Sequence, residues 1–104
     1  MKIADIGRIG LIGLGLLTPT LAMAADAANG ENIARRWCAF CHIVASDQRQ
    51  GTEAKPFGDI ANRPGFDAAQ LALFLLNPHP PMPNMGLSRS EAADLAAYIA
   101  SQRR

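Results

Sequence analysis

The run Cys38-Ala39-Phe40-Cys41-His42 holds both of the chain's cysteines and one of its two histidines. Three chemistries use residues of these types at such short spacing. A redox dithiol uses Cys-x-x-Cys, but there the pair begins a helix after the strand of a βαβ unit. A zinc site needs four ligands, and His79 is the only other side chain of strong ligand type, so Cys38, Cys41, His42 and His79 would form the set. The third is covalent attachment of haem. The two thiols add across the two vinyl groups of one porphyrin, and the histidine directly after the second is brought to the iron. This reading is the most specific of the three, because it alone accounts for the placing of His42. The zinc set leaves the methionines and the N-terminal segment unexplained.

The elements that must position this motif read as helices and loops, since no segment alternates apolar and polar residues for long enough to be a strand. A first helix is expected over about 28–39, where Ile33, Trp37 and Phe40 recur at spacings of four and three and so share one face. Gly30, near its start, would let another backbone come close. Residues 43–63 are polar and broken by Gly51, Pro56 and Gly58, with at most one helical turn over 57–61. Asp67 is a good N-cap for a helix through Leu76, grouping Leu71, Phe74 and Leu75 on one side. Ser88 and Glu91 then form a capping box that opens the last helix, with Leu95, Tyr98 and Ile99 on its apolar face and Ala92 and Ala96 allowing close packing.

Between these last two helices lies the second segment with chemical potential. Pro78, Pro80, Pro81 and Pro83 exclude helix interior and central strand, leaving a stiff extended loop that carries His79, Met82 and Met85. Either methionine or His79 could supply a further ligand to an iron atom.

The N-terminal residues are expected to be a secretory leader. Lys2 and Arg8 make a positive start, and the apolar stretch from Ile9 to Leu17 is far short of the ~20 residues that cross a bilayer as a helix. Ala22-Met23-Ala24 offers small residues for cleavage after Ala24, the alternative being an uncleaved anchor. Residues 25–104 then form one small domain, near the size at which an apolar core alone gives little net stability. Its charged residues balance, eight Lys or Arg against eight Asp or Glu. That balance gives no basic face of the kind that binds nucleic acid.

The segment Gly30-Glu31-Asn32-Ile33-Ala34-Arg35-Arg36-Trp37-Cys38-Ala39-Phe40-Cys41-His42, then Pro56, then Met82-Pro83-Asn84 with Leu87-Ser88, and finally Ala97-Tyr98-Ile99, resembles a class I bacterial monohaem cytochrome c across nearly all of residues 25–104. The resemblance implies an all-α fold of three main helices and short turns around one covalent haem c, the first and last helices crossing where Gly30 meets Tyr98. It implies thioether bonds at Cys38 and Cys41, with His42 as an axial ligand. Met82 would be the second axial ligand, with Met85 the alternative. It also implies that the carbonyl of Pro56 orients the His42 ring, although the glycine usual before that proline is Lys55 here.

The function so implied is periplasmic electron transfer, with transient donor and acceptor redox proteins. A monomer without catalytic activity or stable membrane insertion is expected. The alternative is a haem subunit dedicated to one dehydrogenase or oxidase complex.

Overall fold

The computed structural model describes residues 24–104. The expected leader therefore lies, apart from Ala24, outside the described residues. Four α-helices and one π-helical turn make up the regular structure, with no strand among the described residues: α1 (Ala27–Ile33), the π turn (Ala34–Cys38), α2 (Phe57–Ala61), α3 (Ala68–Leu76) and α4 (Arg89–Ser101).

Three of the four α-helices begin at a side-chain cap. The Asp26 carboxylate accepts from the Asn29 N–H at 3.1 Å and opens α1. Asp67 accepts from the N–H groups of Ala69 and Gln70 at 2.9 and 3.3 Å to open α3. At α4 the capping box is complete, with the Glu91 N–H donating to Ser88 Oγ at 3.0 Å and the Ser88 N–H donating to Glu91 Oε1 at 2.8 Å. The single turn of α2 follows Pro56, whose missing N–H costs nothing at a helix start.

The first helix departs from expectation in its second half. From Ala34 the bonding changes to the wider i to i+5 pattern, with the Ala39 N–H reaching the Ala34 carbonyl at 3.0 Å. The wider turn rotates the residues that follow out of the α-helical register. Ile33 and Ala34 at its start and Cys38 at its end are buried, while Trp37 is 55% and Phe40 91% exposed. The expected shared face of Ile33, Trp37 and Phe40 is thus split.

The core joins Ile33, Ala34, Val44, Phe57, Ala61 and Leu75 to Leu95, Tyr98 and Ile99 of α4. The closest packing is between α1 and α4. A Cβ built on Gly30 would stand 2.0 Å from the Asp94 carbonyl oxygen and 2.8 Å from Tyr98 Cβ, so no side chain fits there. The same junction is clamped by the Asp94 carboxylate, which is buried and accepts from the Asp26 N–H at 2.7 Å and from Asn29 Nδ2 at 2.9 Å. Both oxygens are satisfied, which a buried carboxylate requires. One turn further along the same face of α4 the Tyr98 hydroxyl donates to the Val44 carbonyl at 2.8 Å, holding the loop that follows the Cys-His motif.

Two substitutions test this account. Gly30→Ala is expected to cost about 3 kcal/mol of stability through overpacking, seen as a lower denaturant midpoint at an unchanged slope. Tyr98→Phe leaves the Val44 carbonyl without its buried donor, and a loss of about 1–3 kcal/mol in the same measurement is expected.

Candidate functional site

The Cys-His motif folds as a tight turn at the end of the π helix. The N–H groups of Cys41 and His42 both donate to the Cys38 carbonyl, at 3.1 and 2.9 Å. The turn brings Cys38, Cys41 and His42 to one cleft of about 630 Å³, to which the proline-rich loop contributes Met82 and Met85. That volume lies in the range of ~300–1,000 Å³ usual for small-molecule and cofactor sites. A smaller apolar pocket of about 50 Å³ shares Cys38, His42, Phe74 and Met82 with the cleft and is lined further by core residues including Leu75 and Leu95. Met82 therefore lines both spaces together with His42, whereas Met85 lines only the wider one.

The imidazole of His42 is held from two sides. Its Nδ1 lies 2.6 Å from a backbone carbonyl, and since a carbonyl can only accept, Nδ1 carries the proton. The lone pair is then on Nε2, the state in which a histidine ligates a metal. The carbonyl belongs to Lys55, not to Pro56 as expected. Pro56 stands at the start of α2, and its own carbonyl is taken up by the N–H groups of Asp59 and Ile60 at 3.0 and 3.1 Å. The carbonyl one residue earlier, outside the helix, remains to meet the histidine. Phe57, whose N–H donates to the Ile43 carbonyl at 2.9 Å, places its ring 5.4 Å from that of His42.

A residue that sequence reasoning missed fastens the segment carrying His42. The side-chain amide of Gln48 accepts from the Val44 N–H at 3.0 Å, and its Nε2 lies 3.1 Å from the Ala39 carbonyl, 2.7 Å from that of His42 and 2.8 Å from that of Gln50. Thr52 adds two bonds to the Cys41 carbonyl, from its N–H at 2.8 Å and its hydroxyl at 3.0 Å. A glutamine in a polar loop gives no periodic signal, so only the folded loop shows its role.

The proline-rich loop is tied down in its turn. The Met82 N–H donates to the His79 carbonyl at 3.2 Å, and the Asn84 side chain accepts from the Gly86 N–H at 2.8 Å. Gly86, at φ +68°, takes the left-handed conformation that turns the chain toward α4. His79 is exposed, with its ring edge-on to Phe74 at 5.4 Å.

Among the described residues no group of three or more His, Cys, Asp or Glu side chains could hold a bare metal ion, so the four-ligand zinc set is not assembled. The sulfur atoms differ in environment. Cys41 is exposed, whereas burial pushes the Cys38 thiol up to about 11. An apolar surrounding of that kind disfavours a thiolate and suits an uncharged thioether. Two sulfurs, one imidazole with its lone pair on Nε2, and an apolar cleft that also carries methionine thioethers fit haem c, with Cys38 and Cys41 the residues to hold it.

Removing the Gln48 amide should loosen the turn. Gln48→Ala is expected to lower stability by about 1–3 kcal/mol, read from the denaturant midpoint, because the Val44 N–H and the His42 carbonyl lose their partner together.

Comparison with known proteins agrees with this chemistry. A family model described as cytochrome c oxidase, cbb3-type, subunit III matches residues 25–99. The chain is 53% identical over 83 residues to cytochrome c-552 of Bradyrhizobium diazoefficiens, an alignment that covers 79% of this chain and 80% of that one. No solved structure matches. With the haem-attachment motif in the cleft, an all-helical fold and a relative of this likeness, the chain belongs to the cytochrome c family, as a small c-type cytochrome with one covalently bound haem c.

Proposed function

We propose that this protein is an exported electron carrier of the periplasm, taking one electron from a donor redox protein and passing it to an acceptor. The observation that carries the reading is that His42 and Met82 line the same deep pocket while the His42 ring is already fixed through Nδ1. Bound haem c supplies a one-electron couple at its iron.

The chain's own residues set how that couple is used. Cys38 and Cys41 would hold the group by thioether bonds, His42 would ligate its iron through Nε2, and Met82 would supply a thioether sulfur as the other ligand, with Met85 the alternative. Two protein ligands on the iron would leave no place there for a substrate, which supports a carrier over an enzyme. A methionine sulfur also favours a higher potential than a second imidazole would.

Rigidity serves the same end. The Lys55 carbonyl and the Phe57 ring restrain one ligand, and a loop of four prolines restrains the other. Little rearrangement is then needed between the two oxidation states. The balanced charge of residues 25–104 and their small size suit a monomer that meets its partners in brief contacts of small area. Export rests on the leader at residues 1–24 with cleavage after Ala24. Among the described residues no helix is long and apolar enough to cross a membrane.

Absorption spectra of two variants test the ligand assignment. Met82→Ala should keep its covalent haem but lose the far-red band of methionine-ligated ferric haem, whereas Met85→Ala should keep both. The opposite pair of results would transfer the role to Met85, and a band that survives both substitutions would overturn methionine ligation.

A further inference from the structure

Asn29-Gly30 is the one asparagine-glycine pair in the sequence. Such a pair is chemically labile, because the glycine nitrogen has no side chain beside it to hinder attack on the preceding side-chain amide. The packing of α1 on α4 nevertheless calls for both residues. Gly30 has to be glycine, since a Cβ there would stand 2.0 Å from the Asp94 carbonyl oxygen. Asn29 has to carry a donor, since its Nδ2 satisfies the buried Asp94 carboxylate at 2.9 Å. The junction therefore places a reactive pair at its tightest point.

The same fold blocks the reaction. Gly30 is buried, and its N–H is engaged with the Asp26 carbonyl at 3.0 Å. The Asn29 amide is held against Asp94, and ring closure would need the main chain at Asn29 to leave the helical dihedrals of α1. We propose that Asn29 is a modification site gated by this junction, sealed while α1 lies on α4 and open to hydrolytic deamidation when α1 undocks. In the open chain the Gly30 nitrogen gives up its proton and bonds to Asn29 Cγ, while Nδ2 takes a proton and leaves as ammonia. Water then opens the cyclic imide at either carbonyl, giving aspartate or isoaspartate with no change of oxidation state. Aspartate turns a second carboxylate toward Asp94 in place of the lost donor. Isoaspartate adds a methylene to the main chain next to Gly30, where no methyl group fits. Either product opposes redocking, so the reaction makes a brief opening permanent.

The test uses the holoprotein, incubated at mildly alkaline pH in buffer and in rising guanidinium chloride. Conversion at Asn29 is followed by peptide mass spectrometry, with chromatography to separate isoaspartate. Asn32, Asn62 and Asn84, which precede Ile33, Arg63 and Met85, serve as internal references. In the unfolded chain Asn29 is expected to convert well ahead of these three, and in buffer more than about tenfold more slowly than when unfolded. At intermediate denaturant its rate should climb in step with the loss of hydrogen-exchange protection at the Gly30 N–H. An Asn29→Asp holoprotein should show a lower denaturant midpoint than wild type. Equal rates in buffer and denaturant, or an unfolded chain in which Asn29 converts no faster than the references, would overturn the site. An unchanged midpoint for Asn29→Asp would overturn its effect on docking.

Discussion

At Gly30 the main chain of α1 lies against the main chain of α4, with no room between them for even a methyl group. This contact sets where α1 can point, and α1 leads without interruption into the π turn that ends at Cys38. The Asp94 carboxylate secures it from the α4 side by binding the start of α1. From the same helix, Leu95 and Ile99 line the deep pocket, and Tyr98 reaches the Val44 carbonyl. One close approach thus places both the thiol-bearing turn and the apolar wall it faces.

Few apolar side chains build this domain, and no disulfide joins Cys38 to Cys41. A chain of this size gains little net stability from such a core alone. Several core residues also line the cleft or its deep pocket, Cys38, Phe57, Leu75, Leu95 and Ile99 among them. Cofactor site and core are therefore one construction. Haem c held at Cys38 and Cys41 would add its apolar surface to that interior, while the polar segment 43–55 is held by the bonds of Gln48, Thr52 and Tyr98.

The signals legible in the sequence were those written in local chemistry. Asp67, Ser88 and Glu91 announced helix starts because a cap is a bond between near neighbours, and the Cys-x-x-Cys-His run announced its cofactor because three of the bonds come from five consecutive residues. The Gly30 and Tyr98 contact followed from family resemblance. What escaped reading depends on parts of the chain far apart or on register. The change to π bonding at Ala34 rotated Trp37 and Phe40 outward against an otherwise good helical periodicity. The Gln48 amide gathers backbone groups that only the folded loop brings together, and Asp94 looks like an ordinary surface carboxylate until α1 covers it. The choice between the carbonyls of Lys55 and Pro56 turned on whether α2 would claim the latter.

That last bond has a bearing on how the protein can change over generations. The group that orients the axial imidazole is a main-chain oxygen, present whatever amino acid stands at position 55, and that side chain is exposed to solvent. Mutation there alters surface charge without deleting the acceptor. A lysine can therefore occupy a place where the family resemblance led to glycine being expected, and the ligand geometry is sheltered from drift at the very residue that provides it.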